Sequence, residues 1–479
     1  MTLRTRRILY VSFAAAFFLA SPPLVLYTAG FRYDFAYRRI VVTGSLVVKS
    51  NPPDATVRLN GELRKEPTPT IINTILPGKI KLLVEKEGYH SWEKEIEIKP
   101  RVTSFEESIT LFADAAPEAA LGRPAVQYWW SPSGDKVAYA TNENTLRLFN
   151  ALNQKDTLIA NVSDGRAVSL SWSSEQDRFF FSRGAPGGQK EFIVVETLSP
   201  ERIVPLEDIA DGPIRNVQWD PANQSSVYAL SGSGKLIRLN YLLATEHAVA
   251  EGPIRDYLAE PKRIVMLATQ TSGKAYLAWI NPVDSSTVHL VPAAELSATD
   301  KLVATRSRYI AVKNPRTAAL LVVDPSVGAA LSGEAVTVIP EALNPLWTDD
   351  GNTLVYSDGF GIYTRSFAIP LSVLPSQNLA STLVTRYSKP IRELAITGNG
   401  THVFYAVRGE LRASELNASS DPRGTTLLSV PAEEAGGVSG ISGLRYDGRR
   451  NALTFIGAHG VLQTLRLSLE DSRAFPFGN

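Results

Sequence analysis

The residues best equipped for metal or proton chemistry are five histidines, His90, His247, His289, His402 and His459, and no two of them are spaced to share a helix face or a hairpin. The pattern therefore predicts no metal centre. Ser231-Gly232-Ser233-Gly234-Lys235 has the composition of a phosphate-cradling loop. It lacks the eight-residue spacing and a Ser or Thr after the lysine, and it lies between the apolar runs VYAL and LIRL, so it reads as a hairpin turn. The glycine-rich GGVSGISG at 436–443 never completes G-x-S-x-G, and no alternation of strands and helices surrounds it, which excludes an α/β-hydrolase nucleophile. Asp349-Asp350-Gly351-Asn352 offers oxygens of the kind calcium takes. Phe360 stands where an EF-hand loop requires glutamate, so a turn between strands is the simpler account. Paired carboxylates for glycosidic chemistry converge from distant segments and leave no local motif. None stands out among the 48 Asp and Glu, and neither a catalytic residue nor a cofactor is assigned.

The absence of cysteine removes disulfides, thiolate zinc sites, iron–sulfur ligation and thiol nucleophiles together, and it leaves the compartment open. Lys plus Arg number 49 against 48 Asp plus Glu, a formal net charge of +1. That balance lacks the excess of cations from which nucleic-acid affinity comes, so no nucleic-acid partner is expected. A length of 479 residues predicts two or three folded units, at roughly 100 to 200 residues each.

The elements that would position any site fall into three parts. Ile8 to Gly30 is a charge-free run of 23 residues, enough to cross a hydrocarbon core of about 30 Å as one helix. Arg4, Arg6 and Arg7 precede it and favour a cytoplasmic N-terminus, while Arg32, Arg38 and Arg39 beyond it weaken that asymmetry. A cleavable signal would need small residues three and one before the cut; Phe18 with Ala20, or Tyr27 with Ala29, fit this badly, and an uncleaved anchor is the reading preferred. Pro22 and Pro23 would kink the helix. Tyr27, Phe31, Tyr33, Phe35 and Tyr37 read as an interfacial aromatic belt or as a strand leading onward. A single run of this kind excludes a multi-pass transporter.

From Gly44 to Phe112, SLVVKS, ATVRLNG, KIKLLVE, KEIEIK and SFEESITLF alternate apolar and polar residues, the pattern of strands with one buried face. Asn60-Gly61, Pro52-Pro53 and Pro77-Gly78 mark turns between them, which predicts a sandwich of five or six strands with ten basic and ten acidic residues. This segment resembles the PEGA domain, a small surface-associated β-domain often found next to membrane anchors. The resemblance rests on Ser50, Pro53, Ala55 and Val57, on Asn60-Gly61, Thr68-Pro69 and Leu76-Pro77-Gly78, and on Gly88-Tyr89 with Trp92. Asp54 departs from it, standing where the family's name-giving turn usually has glycine. It implies an extracytoplasmic location with a binding or spacer role, and it carries no catalytic residues.

After ADAAPEAALGRP at 113–124 a phrase recurs: WSPSGDKVAYA from Trp130, WSSEQDRFFFS from Trp172, WDPANQSSVYAL from Trp219, WTDDGNTLVYS from Trp347, ITGNGTHVFYA from Ile396 and YDGRRNALTFIG from Tyr446. Neighbouring copies begin 42 to 50 residues apart, the period of a four-stranded propeller blade. Two degenerate copies, IRDYLAEPKRIVMLATQ and LSATDKLVATRSRYIAVK, fill the gap before Trp347. The phrase resembles the WD40-like, TolB-type repeat, matched best at 130–139, and it lacks the Gly-His and Trp-Asp pairs of true WD40 repeats. Recurrence at one place per repeat makes Trp130, Trp172, Trp219 and Trp347 packing residues between blades. Trp129 and Trp279 lie off that register and are the candidate exposed binding aromatics.

The expected architecture is all-β after one spanning helix: residues 1–7 cytoplasmic, 8–30 in the membrane, 31–43 juxtamembrane, 44–112 PEGA-like, 113–124 a linker, and 125–479 a propeller of seven or eight blades. The expected function is binding or scaffolding at a bacterial cell envelope, not catalysis. The propeller, anchored to the membrane and extracytoplasmic, would recognise an envelope protein, peptide or glycan. The alternatives are a propeller-type glycan hydrolase or lyase, with several carboxylates converging at a channel mouth, and a purely structural spacer.

Overall fold

The computed structural model describes residues 3–28, 30–34, 38–175, 177–184, 188–270, 272–282, 286–289, 296–297, 299–305, 308–325, 336–367, 381–416, 424–429 and 440–469. The chain divides into two compact units, one built mainly on Met1–Ala116 and the other on Pro117–Asn417 with Leu428–Leu465. The first unit opens with a helix, α1, at Leu3–Thr28. It begins before the expected span, taking in Arg4, Arg6 and Arg7, and continues through Pro22 and Pro23. It stops short of residue 30 because Gly30 adopts a left-handed backbone, φ 82°, and its amide turns back to the Tyr27 carbonyl at 3.2 Å. Apolar side chains from Leu9 to Tyr27 stand exposed around it, and Leu9–Thr28 is long and apolar enough to cross a membrane. Phe31–Asp34 and Arg39–Val42 then pair antiparallel. Phe31 and Tyr33 therefore belong to a short strand, while Phe35 and Tyr37 lie outside the described residues.

The small β-domain has seven strands in two sheets, against the five or six expected. Thr70–Ile75, Gly44–Asn51 and Thr103–Thr110 form one sheet, in which Gly44–Asn51 and Thr103–Thr110 run parallel. Glu62–Leu63, Thr56–Leu59, Gly78–Glu85 and Trp92–Ile98 form the other. The two additional strands, Glu62–Leu63 and Thr70–Ile75, were hidden by their lack of apolar alternation; the latter sequence, TIINTI, puts Asn and Thr where a buried residue would stand. Between the sheets Leu46, Val48 and Ile109 meet Val57, Leu82, Val84 and Ile98 in a closed core. Asn60 and Gly61 both take positive φ, 50° and 85°, the turn that matches strand twist. Asp54 takes a left-handed backbone, φ 60°, within the tolerance of Asp for this region. Thr68 explains another part of the motif: its hydroxyl accepts from the Ala55 amide at 3.0 Å and lies 2.6 Å from the Ser50 hydroxyl.

After Pro117 the described residues form eight four-stranded sheets, seven of them meanders in chain order. These are eight propeller blades, at 127–161, 169–205, 214–250, 254–289, 301–339, 343–386, 391–429 and 442–466. Both degenerate copies are blades, the fourth and the fifth. The last blade takes its outermost strand from Glu118–Ala119, where Glu118 pairs with Thr464 and Ala119 with Gln463. The stretch 113–124 thus carries a blade strand.

Each second strand is buried on both faces, which is why the repeated phrase is so uniformly apolar. In blade 2, Phe179 and Phe181 pack toward blade 1 while Phe180 packs toward blade 3. In blade 4, Ile264 and Met266 face blade 3 while Val265 and Leu267 face blade 5. The same division recurs in blades 5 and 6, and Val137 and Tyr139 of blade 1 close against Ile456 and Leu462 of blade 8.

Candidate functional site

The innermost strand of each blade borders the ring's centre, and one sequence feature recurs there. Pro-Ile-Arg, at 213–215, 253–255 and 390–392, opens the inner strands Ile214–Trp219, Ile254–Glu260 and Ile391–Ile396 of blades 3, 4 and 7. In all three the isoleucine is buried and the arginine exposed. The strands bulge just beyond, between Arg215 and Gln218, Ile254 and Asp256, and Ile391 and Glu393; blades 6 and 8 bulge at the corresponding place. A bulge re-aims side chains and is common beside binding sites.

The residue after the arginine ties its blade to the next. Asn216 Nδ2 donates to Asp256 Oδ1 at 2.5 Å, and Asp256 Oδ2 accepts the Leu302 amide of blade 5 at 2.8 Å. Asn344 Nδ2 of blade 6 donates to the Arg392 carbonyl at 3.1 Å, and Glu393 Oε2 accepts the Leu444 amide of blade 8 at 3.3 Å. In blade 1, Gln127 Nε2 reaches the Arg166 carbonyl at 3.2 Å. Arg215 itself donates to the Arg255 and Ile254 carbonyls, both at 3.2 Å. These bonds make a belt of side chains along the inner strands.

Burial pushes the carboxyls of Asp256 and Glu393 above the usual carboxylate range, and it does the same for Glu207, which accepts the Phe192 amide at 2.9 Å. The three sit on different parts of the ring, and each holds backbone N–H groups. Between blades 2 and 3 lies a cavity of about 420 Å³, with apolar walls from Phe180, Phe192, Ile214 and Val217 and polar groups from Ser169, Lys190, Glu207, Arg215 and Asn216. Among the described residues Glu207 is the single carboxylate in its lining.

The sequence-predicted residues are placed as follows. The Trp172 indole donates to the Trp129 carbonyl and the Trp219 indole to the Ser171 carbonyl, each at 3.0 Å and each toward the preceding blade. Trp130 lies under the Arg450 guanidinium at 4.5 Å, and Trp347 stacks on Tyr309 of blade 5. All four are interblade residues. Trp129 and Trp279 are half-buried, packed against the clusters that join blades 1 and 2 and blades 4 and 5. Neither is an exposed aromatic, because each is partly covered by the apolar cluster of the adjoining blade. The segment 231–235 turns the hairpin between Ser226–Ser231 and Leu236–Asn240, with Lys235 paired to Glu251 at 3.0 Å. In the 349–352 turn, Asp350 accepts from Thr348 Oγ1 at 2.5 Å and from the Asn352 amide at 3.0 Å, which holds its carboxyl below the usual range. Ser442 and Gly443 of the glycine-rich segment lie in the inner strand of blade 8, and 436–439 lie outside the described residues. Among the described residues no three His, Asp or Glu gather as metal ligands would. His402 is 4% exposed in the second strand of blade 7, where burial pushes its imidazole down to about 4. The apolar repeat phrase does not mark the inner-strand arginines, whereas the triplicate Pro-Ile-Arg is a signal in the sequence that does.

No curated protein matches the chain. Among solved structures it is similar to the β-propeller domain of Cps50 (Swd1) from Myceliophteria thermophila, at 12% identity, TM-score 0.41, covering 73% of this chain and 99% of that one. It is also similar to the Dos1 propeller, at 10% identity, TM-score 0.47, covering 73% and 93%. Nothing these proteins bind transfers to this chain at such identities. Residues 43–111 match the PEGA domain family, so the chain carries a PEGA domain between an apolar helix and an eight-bladed β-propeller.

Proposed function

We propose that this is a single-pass membrane protein whose PEGA domain and propeller lie outside the cytoplasm, where the propeller recognises a partner at the cell envelope. The observation that carries the reading is the belt along the inner strands. Asp256 and Glu393 accept backbone amides from the next blade, and Glu207 accepts one from its own, so these three carboxyls are engaged in holding the ring. A rigid scaffold of this kind presents loops and strand ends in fixed geometry, which suits recognition. The glycan-hydrolase alternative needs two carboxyls about 5 to 9.5 Å apart across a substrate. Among the described residues the cavity between blades 2 and 3 offers one carboxylate, Glu207, which supports binding over cleavage. The exposed apolar surface of α1, preceded by arginines and followed by a domain type common near anchors, supports the topology.

Protease treatment of intact cells, followed by fractionation, tests the topology: the propeller should be digested while α1 stays with the membrane. A propeller protected until the cells are lysed would overturn it. Affinity capture on the full solubilised chain tests recognition, with a reproducible envelope partner expected.

A further inference from the structure

The Pro-Ile-Arg strands separate charge. In blades 4 and 7 the acid that follows the arginine is turned toward the neighbouring blade, where Asp256 and Glu393 accept the amides of Leu302 and Leu444. The arginine before it is exposed in both, and in blade 4 Arg255 Nε also donates to Thr269 Oγ1. Blade 3 has the neutral Asn216 in that place, beside Arg215. A chain with a net charge of only +1 thus displays Arg215, Arg255 and Arg392 from three inner strands at one repeat position. They belong to one end of the ring, because inner strands begin where the second-to-third-strand hairpins turn. The Ile254 amide bonds to the Gly234 carbonyl at 3.0 Å, and the Ile391 amide to the Gly359 carbonyl at 2.7 Å. Lys190 adds an exposed cation at the cavity between blades 2 and 3, whose Phe180 and Phe192 walls adjoin Arg215.

From this juxtaposition we infer that the end of the propeller where the inner strands begin binds an acidic, extended peptide segment of a partner protein. Its carboxylates engage Arg215, Arg255 and Arg392, and one apolar side chain enters the cavity between blades 2 and 3. Guanidinium groups match carboxylates in a planar, two-pronged geometry. A cavity of about 420 Å³ with aromatic walls is within the range of ligand sites, and it selects a peptide over polyphosphate or a uronate glycan, neither of which carries an apolar side chain. The inference rests on the recognition reading above and names the partner's chemistry.

The test uses the full chain in detergent and a fluorescein-labelled synthetic peptide of alternating Glu and Leu, read by anisotropy. Binding should weaken with salt, and by roughly tenfold for each of Arg215→Gln and Arg392→Gln. Arg392→Glu should lose the acidic peptide and gain its Lys-for-Glu counterpart, a swap that a misfolded variant could not produce. Lys190→Gln, at an exposed position, serves as an independent variant. The inference is overturned if the peptide does not bind, if the arginine variants bind it unchanged, or if polygalacturonate or polyphosphate binds as tightly as the peptide. Capture of a partner without acidic segments by the full chain would also end it, while leaving the recognition reading intact.

Discussion

The PEGA domain and the propeller solve the same problem differently. In the small domain each sheet buries one face, and its outer face carries pairs such as Lys81 with Glu93 at 2.9 Å and Lys79 with Glu95 at 2.8 Å. In the propeller the second strand of a blade has no outer face, because neighbouring blades cover both sides. Polar side chains are then confined to turns, to outer strands and to the inner strand, where they must serve two blades at once. The difference teaches where function can reside. A half-buried sheet can change its exposed residues without touching its core, whereas the propeller leaves freedom at its ends, its outer strands and its inner strands, and Arg215, Arg255 and Arg392 stand on the last of these.

The largest effect expected from this contrast is in a strand buried on both faces. Phe404→Ala empties a fully buried site where the ring stacks on Tyr446 of blade 8 at 5.6 Å, and it should cost about 3 to 5 kcal/mol in denaturant unfolding. A loss below 1 kcal/mol would mean that blades 7 and 8 pack loosely. Next comes His402, neutral in the folded ring with a pKa of about 4 against an ordinary 6.5. The unfolded chain takes up a proton that the folded chain refuses, so the stability held by this group is complete above pH 6.5 and is lost as pH falls toward 4, roughly 3 kcal/mol in all. Comparing the pH profiles of the native protein and His402→Gln isolates it, and parallel profiles would contradict the assignment. A smaller change is expected at the belt. Asp256→Ala strands the Leu302 amide and should cost about 1 to 3 kcal/mol, partly recovered by Asp256→Asn, which keeps one acceptor. Smallest is Lys81→Ala on the exposed face of the PEGA domain, where the melting temperature should not move measurably.

Much of this division was legible in the sequence. The apolar second strands and the tryptophans at the ends of the inner strands mark the blade period, and the two degenerate copies are recognisable because Ile264 to Ala268 and Ile310 to Val312 are apolar, as the second strand of any blade must be. Asn60-Gly61 announced its turn. Less visible were features that depend on partners distant in sequence. Glu118–Ala119 is too short to show any alternation, and only Gln463 and Thr464 make it a strand. Trp129 and Trp279 fall outside the repeat register, yet residues of the adjoining blades, distant in sequence, partly cover both. The arginines escaped for a related reason: the repeat is defined by its apolar residues, and the bulges beside Arg215, Arg255 and Arg392 disturb the alternation that would have drawn attention to them.

The strand at Glu118–Ala119 also sets a clock. It leaves the ribosome before any blade, and its partner residues Gln463 and Thr464 are among the last of the ring to be made. At ordinary elongation rates of about 5 to 20 residues per second, the nascent ring stays unlatched for roughly 20 to 70 s. Through that interval it has two open apolar blade faces, one at each end of the growing array, with the face of Val137 and Tyr139 waiting for Ile456 and Leu462, and such surface invites misassociation. A message truncated before residue 462 would yield seven finished blades that never lock, a product for proteolysis and not a smaller working propeller.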